Sequence, residues 1–552
     1  MFSRDLPFPQ IVQLGSFLGF YLGVEYLFWT RMPIAQLTLV ELFVLFLISF
    51  LNLIPAGIFS FMITSLLPNK LVSSYNEVNI SSLPPQKSRQ RIAMLYTTYN
   101  DFMADHAEYD IQEARKGNFS FYVLDDSTEE SVRREVEVFA ETNHCIVCRR
   151  NTRQGYKAGA INSWMVSYGS NYDYFFLLDS DSRASVEAIQ HCADIAIRDL
   201  DIAVIQTKTL TMTSIPTRLT RSSVTVQHAY MEIVQKAMKN LGTTPYYGHN
   251  ALIKVSALHA VGGFVEESNE DYKTLARLHS KGYRSIYAES AVTWEEVPPD
   301  YLSARKRSLR WSRDAVSQLN LLKYGGPEAV GFFLFYGWTT HMSNFALMLL
   351  LPIMTVASLP HLFGNGAVTI AGVMTLSVIV LWPLLALRIK DPELTLRKMG
   401  TSLFWGSAYN IPMMAPVSLQ ILKTSASRIV ANFRQLVPGN VKSLKEEFVV
   451  TPKTTKKERS LMAVASKLKA ELAVGVGIIL IAWISVHPLS LIFAAPQVLS
   501  AIALPLLVYV ESRATRPLSK NKTSPHIGRT PYYAPYLNYE RLRSPAIQRL
   551  IR

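Results

Sequence analysis

Apolar runs of about 20 residues, the length needed to cross ~30 Å of hydrocarbon, crowd the two ends of this chain and are missing from its middle. Two precede the middle, at 11–29 and 38–66, and five follow it, near 331–358, 367–387, 402–422, 471–487 and 489–510. The sequence does not open on a short apolar segment with a small-residue cleavage site, so the first run reads as a retained span and not as a signal peptide. Residues 90–325 follow a different pattern. Short β-rich runs, RIAMLYTTYND (91–101), FSFYVLDDST (119–128), YFFLLDSDS (174–182) and IAVIQTKT (202–209), alternate with helix-like stretches, which predicts an α/β domain on a mostly parallel sheet. Ligands of such sheets bind at the carboxyl ends of the strands, and three of these four runs end in acidic residues.

Composition narrows the class. The 552 residues are 49% hydrophobic and 18% charged, with 56 Lys+Arg against 42 Asp+Glu and a net charge of +14. So low a charged fraction argues against disorder and against a basic nucleic-acid binder, so no nucleic-acid partner is expected. Three cysteines, Cys145, Cys148 and Cys192, are too few for a disulfide framework and point to a reducing compartment. Cys145 and Cys148 have CxxC spacing, but they fall in a β-like run that sends their sulfurs to opposite faces, which argues against a zinc site.

The excess charge has an address. Segment 423–470 carries 11 Lys/Arg and 3 acids, tail 511–552 carries 9 and 2, and the rest of the chain nets −1. Both segments are expected on the cytosolic side by the positive-inside rule. The linker 388–401 is basic too, so run 402–422 lies between two cytosolic segments and cannot be a single crossing. With Pro412, Pro416, Ser407, Asn410 and Ser418, it is expected to be re-entrant or interfacial. The layout is then two spans in 1–67, a cytosolic domain at 68–325, two spans in 326–388, an interfacial segment at 389–470, two spans in 471–510, and a basic cytosolic tail at 511–552. Glu25 and Glu41 fall inside expected spans, where an ionisable residue is a functional hypothesis by default.

The chemistry gathers in the middle domain. Asp179-Ser-Asp181 is a DxD element, two carboxylates able to hold a hard divalent cation while it bridges a diphosphate. Alone it is weak, because paired acids at strand ends also serve as caps and turns. It sits, however, in an ordered series. Tyr96–Asp101 (YTTYND), Leu124–Ser127 (LDDS), Gly155–Asn162 (GYKAGAIN), the DxD, Asn269-Glu-Asp271, Arg307–Trp311 (RSLRW) and Phe448–Lys453 (FVVTPK) follow one another along the chain.

In these motifs the sequence resembles the family 2 glycosyltransferases, and among them the membrane-embedded processive synthases of the cellulose synthase type. The resemblance covers about 90–325 plus the loop at 448–453. It implies an α/β GT-A (Rossmann-like) cytosolic glycosyltransferase domain embedded in a multi-pass α-helical transmembrane region. It assigns the UDP-sugar donor to Thr97, Tyr99, Asp125, Asp126, Lys157, Asp179 and Arg310, with Phe448, Thr451 and Lys453 of a gating-type loop. It assigns Mg²⁺ or Mn²⁺ to Asp179 and Asp181. Asp271 is the implied base, and Trp311, Tyr247, Gly248, His249 and Glu270 the implied acceptor site.

Three departures bear on specificity. Arg307 stands where the family's QxxRW has glutamine, and Asn269 where its TED has threonine. Tyr246–Asn250 (YYGHN) and Glu295–Pro299 (EEVPP) resemble the YWGHN and EELPP stretches of the osmoregulated periplasmic glucan glucosyltransferases instead of cellulose synthase. The function implied is a processive, inverting enzyme that makes a β-glucan-type polysaccharide from UDP-glucose and passes it across the plasma (cell inner) membrane. Its partners would be the donor, the growing polysaccharide and membrane lipid, with room for accessory subunits. The rivals are a non-processive enzyme adding one sugar to a lipid carrier and a synthase using another UDP-sugar such as UDP-N-acetylglucosamine.

Overall fold

A computed structural model describes residues 8–30, 52–68, 90–317 apart from 242–243 and 268, 394–435, 451, 460–485, 488–514 and 532–533, with isolated positions at 39–49 and 384–388. Helices α1 (Phe8–Trp29) and α2 (Leu53–Ser65) pack together. Trp29 Nε1 and Asn52 Nδ2 each donate to the Glu25 carboxylate at 2.8 Å, so this acid of an expected span is held by donors from its own helix and from the start of the next. Glu41 lies outside the described residues.

The middle of the chain runs β1 (Ile92–Thr98), α3 (Ala104–Gly117), β2 (Ser120–Asp125), α4 (Glu130–Asn143), β3 (Ile146–Cys148), α5 (Tyr156–Tyr168), β4 (Tyr174–Asp179), β5 (Ser182–Ala184), α6 (Val186–Arg198), β6 (Ile202–Thr213), α7 (Arg218–Asn240), β7 (Ala251–Lys254), α8 (Val255–Ala260), α9 (Glu270–Ser280), β8 (Arg284–Glu296) and α10 (Tyr301–Ser317). Then come α11 (Leu396–Gln435), α12 (Leu461–Lys467), α13 (Lys469–Ser485), α14 (Pro488–Ala514) and β9 (Tyr532–Tyr533). The sheet order is β3-β2-β1-β4-β7-β6-β8-β5, with β9 added on β6. All four runs read as strands from sequence form strands, and β3, β2, β1, β4, β6 and β8 share one direction. The four-residue β7 runs antiparallel between β4 and β6.

Helices cover both faces of the sheet, which is why its strands are apolar throughout instead of alternating. Ala93, Leu95, Tyr122, Leu124, Phe175 and Leu177 face α5, α8 and α9 around Trp164. Ile92, Met94, Tyr96, Phe121, Val123 and Phe176 face the opposite way, toward α3, α4 and α6. Cys148 packs on the first face and Cys145 on the second, as the strand reading of the CxxC required.

Register sets the level of the strand ends. Thr97 of β1 lies opposite Asp179 of β4, and Thr98 opposite Asp125 of β2. The acidic ends of the two strands are therefore brought to one edge.

Run 402–422 lies within α11, a single 40-residue helix with Pro412 and Pro416 inside it. The helix runs without the chain reversal that a re-entrant hairpin has. Its Tyr409, Met413 and Val417 pack with Leu219, Tyr301, Val464, Leu504 and Val508. Runs 471–487 and 489–510 correspond to α13 and α14, which meet where Gly475 faces Ala501. Runs 331–358 and 367–387 lie outside the described residues apart from 384–385. Among the described residues, α1 is the one helix long and apolar enough to cross a membrane by length and composition.

Trp164 tests the packing that holds the strand ends in line. It is 1% exposed, with the rings of Tyr122, Phe175 and Tyr172 centred 5.5–5.7 Å away. Trp164→Ala is expected to lower unfolding free energy by roughly 3–5 kcal/mol, read from denaturant midpoints of the solubilised chain. A loss under about 1 kcal/mol would contradict this packing.

Candidate active site

Side chains from several separated segments meet near the carboxyl edge of β1, β2 and β4. Lys157, in the first turn of α5, donates to the Gly248 carbonyl at 2.7 Å and forms an ion pair with Asp179 Oδ1. Thr97 Oγ1 donates to the same carboxylate oxygen at 3.1 Å and to the Leu178 carbonyl at 3.0 Å. Gly155 allows this placement. It caps α5 in the left-handed region (φ +69°), where a side chain would also strike Glu266.

The loop before β7 carries the second part of the site. Buried Gln206 of β6 donates to the carbonyls of His249 and Asn250 at 3.1 and 3.0 Å and accepts from the Tyr247 amide at 3.1 Å. Gly248 sits at φ +86°, and a Cβ there would lie 3.4 Å from Asp271 Oδ2. This glycine therefore stands between the Lys157–Asp179 pair and Asp271. Asp271 begins α9, where its Oδ1 accepts the Tyr272 amide at 2.8 Å. The residue two before it, Asn269, adopts φ +59°. Asparagine tolerates the left-handed region and β-branched threonine does not, so the departure from the TED pattern has a backbone reason.

His249 stands between two carboxylates. Its Nε2 lies 3.2 Å from Glu295 Oε2 and its Nδ1 lies 3.9 Å from Asp179 Oδ2 and 3.1 Å from the Tyr247 carbonyl. Burial pulls its pKa down, but the Glu295 carboxylate overcomes this and, with Asp179, raises it from 6.5 to about 9. His249 is thus an imidazolium at neutral pH. Glu270, one residue before Asp271, has its pKa raised by burial, opposed by the charges of Lys157 and Arg310.

Helix α10 supplies the remaining wall. Arg307 lies in the field of Glu295, Arg310 and Asp181, and burial with Arg310 lowers its pKa to about 10. Its guanidinium sits over the Trp311 ring at 4.7 Å, and Trp311 itself is 42% exposed. An arginine at the family's glutamine position therefore joins the site instead of leaving it.

The structure uses other expected donor residues differently. Buried Asp125 accepts from the Ser127 amide at 2.9 Å and from Arg149 Nε at 2.7 Å. Asp126 accepts from Arg150 Nε at 2.9 Å and pairs with a second guanidinium nitrogen of the same residue. Tyr99 carries the Arg153 guanidinium 3.3 Å from its ring centre. Arg149, Arg150, Arg153 and Gln206 escaped the sequence reading, and the only signal there was the RRNTR run after β3. Thr451 is buried, with Oγ1 lacking a hydrogen-bond partner among the described residues. Phe448 and Lys453 lie outside the described residues.

Asp179 and Asp181 offer carboxylate oxygens, the donors a hard divalent cation prefers. Among the described residues no group of three or more His, Cys, Asp or Glu could hold a metal. The donor set thus fits Mg²⁺ or Mn²⁺ whose shell is completed by substrate oxygens and water, not a site closed by protein.

Three comparisons with known proteins place the chain among glycosyltransferases in sequence. Residues 174–389 match the model for glycosyl transferase family group 2. The chain is 28% identical over 280 residues to glucans biosynthesis glucosyltransferase H of Rhodopseudomonas palustris, covering 46% of this chain and 38% of that protein. It is 25% identical over 202 residues to probable glucomannan 4-beta-mannosyltransferase 1 of Arabidopsis thaliana, covering 34% and 36%. Among solved structures it is similar to the mannosyltransferase PcManGT from Pyrobaculum calidifontis in complex with GDP-Man and Mn²⁺, at 17% identity and TM-score 0.45, covering 64% of this chain and 98% of that one. The chain spans less than two fifths of the length of these two curated relatives.

The mixed sheet with its carboxyl-edge cleft thus lies in a chain whose residues 174–389 match a glycosyltransferase family. The chain carries a family 2 glycosyltransferase domain and is homologous to glucans biosynthesis glucosyltransferase H and to the glucomannan mannosyltransferases.

Two predictions follow from the loop at 246–250. His249 has a folded pKa above its unfolded value, so its contribution to stability is complete below about pH 6.5 and is lost as pH rises through about 9. Glu295→Gln should remove this pH dependence, measured as thermal stability between those limits; an unchanged profile would show that Glu295 does not hold the charge. Gly248→Ala combines a left-handed φ with contact against Asp271 and should cost on the order of 1–2 kcal/mol of stability. It should also lower turnover more than thermal stability, as compared by initial rates and melting of the same preparation.

Proposed function

We propose that the chain is an inverting glycosyltransferase that extends a β-glucan-type polysaccharide from UDP-glucose at the cytosolic face. The six-span layout set out above would pass the polymer across the plasma membrane. The observation that carries this reading is Gly248, contacted by Lys157 on one side and approached by Asp271 on the other. A leaving diphosphate and an attacking hydroxyl need these two groups on opposite sides of the transferred sugar.

Lys157 and Arg310 would bind the diphosphate, a point charge and a forked donor meeting the same anion. When bound at Asp179 and Asp181, Mg²⁺ or Mn²⁺ neutralises charge on the leaving group. Lys157 and Asp179 pair with each other, and the donor would exchange that pair for its own contacts. Asp271 takes the proton of the acceptor hydroxyl. Its Oδ1 accepts the Tyr272 amide, and its Oδ2 lies on the Gly248 side. Inversion follows from one carboxylate acting across the sugar from the leaving group, with no covalent enzyme intermediate. The half-exposed Trp311 ring offers an apolar face to the terminal sugar of the acceptor, and His249 and Glu270 line the same side.

The resemblance of YYGHN and EEVPP to the periplasmic glucan glucosyltransferases supports glucose as the sugar. The mannosyltransferases among the relatives favour a mannose donor as the alternative. Membranes holding the full chain, incubated with labelled UDP-glucose, UDP-N-acetylglucosamine or GDP-mannose, decide by product length and linkage. A β-glucan from UDP-glucose is expected, with Asp271→Asn slowing synthesis by about 10²–10⁴-fold. Polymerisation by that variant at the wild-type rate would overturn the base assignment, and transfer of single sugars to lipid would overturn processivity.

A further inference from the structure

The link from β4 to β5 is only two residues long, Ser180 and Asp181. Asp179 closes β4 opposite Thr97 of β1, and Ser182 opens β5 opposite Glu295 of β8. The two acids of the DxD element therefore sit where the chain passes from one strand partner to another, and the shape of this short turn sets their spacing.

Groups outside the DxD element hold the turn. Ser180 is 1% exposed, and its hydroxyl donates to Asp101 Oδ2 at 2.9 Å. The Ser180 carbonyl accepts from Tyr96 Oη at 2.8 Å. The Asp181 carbonyl accepts from the Glu296 amide at 3.0 Å, and the Ser182 carbonyl lies 3.3 Å from His106 Nδ1. Asp101 is itself fixed, its Oδ1 accepting from the Tyr99 amide at 2.8 Å and from Thr98 Oγ1 at 3.1 Å. Asp101 is the last residue of YTTYND and Ser180 the middle one of DSD, so side chains of two motifs 79 residues apart meet directly.

A turn of this kind needs no carboxylate to fold, and Asp101 brings a further negative charge beside Asp179 and Asp181, which repels them. What the carboxylate adds is strength, because a hydroxyl donating to an ionised acceptor is held about twice as firmly as one donating to a neutral group. Such rigidity matters to an ion site, whose donors must be held within about 0.5 Å of the productive geometry. Among the described residues no three acids are grouped so as to hold a metal, so Asp101 acts through Ser180 and not as a third ligand. We propose that Asp101 is a positioning residue for the divalent cation: by way of Ser180 it fixes the turn that presents the carboxylates of Asp179 and Asp181. The inference rests on the reading of those two acids as the cation's donors.

The test measures Mn²⁺ affinity of the solubilised full-length protein at saturating UDP, from the electron paramagnetic resonance signal of the free ion. Wild type is compared with Ser180→Ala, Asp101→Asn and the double variant, and the melting of each protein without metal or UDP is recorded beside it. Each single substitution should weaken Mn²⁺ binding by roughly 10–100-fold, the usual effect of removing an outer-shell partner. The double variant should bind about as weakly as either single one, because both break the same bond, and all four proteins should remain folded at the assay temperature. Either single variant serves if the other does not fold; failure of both would assign the contact to folding and overturn the proposal. Wild type that binds no Mn²⁺ would overturn the metal reading of Asp179 and Asp181, and this inference with it. Tight binding by wild type and by both single variants would overturn this inference alone. Losses that add fully in the double variant, or that track melting of the metal-free protein, would also overturn it, since they mark separate structural effects.

Discussion

Charge compensation inside a cleft at the edge of a parallel sheet is the constraint on which the rest of this structure depends. Register fixes Thr97 opposite Asp179, and β4 thereby delivers a carboxylate to the edge where β1 and β2 also end. A half-buried carboxylate needs a partner, and Lys157 provides it only because Gly155 turns α5 toward the strand end. Lys157 in turn fixes the loop at Gly248, and Gly248 lets that loop approach Asp271. On the far wall, Glu295 sustains the charge of His249 and offsets Arg307. Each group is tolerable in a low-dielectric cleft because the next one answers it, and the set as a whole can exchange internal pairs for a charged substrate.

The helical shell connects this cleft to α13 and α14 through buried polar links. Tyr301 and Arg305 of α10 both meet Glu471 of α13, at 3.2 and 2.9 Å, and Arg305 lies two residues before Arg307 and five before Arg310. Tyr409 of α11 donates to Glu511 at the end of α14. Breaking one member of such a buried pair costs several kcal/mol, in the range of about 3–5. The wall that carries Arg307, Arg310 and Trp311 is therefore fixed relative to the helices expected to enclose the product.

The strands that deliver the site were legible in the sequence because both of their faces are buried, which produces long apolar runs broken by acids at one end. The face assignment of Cys145 and Cys148 followed from strand periodicity alone. Strand β7 was not legible, since four residues (ALIK) carry no pattern that separates strand from helix. The motif residues Lys157, Asp179, His249, Asp271, Arg307 and Arg310 come together in space as their order along the chain implied. What the motifs did not reveal was pairing. Asp125 and Asp126 look like free acids in LDDS, yet Arg149 and Arg150 bind them from a segment 24 residues away. Gln206 reads as one polar residue in a β run, and only the fold shows that it holds the loop at 247–250. Asn269 and Arg307 looked like departures of the same kind. One answers to backbone geometry and the other to the electrostatics of the cleft.

Lys157 and Asp179 are proposed to belong to a metal-assisted diphosphate site. Equilibrium binding of UDP to the purified full-length protein tests this most directly, measured with Mn²⁺, with Mg²⁺ and with chelator. The account predicts binding that needs either cation, is lost with chelator, and is lost in Asp179→Asn even with Mn²⁺ present. UDP binding of equal strength with and without metal, unchanged by that substitution, would contradict it.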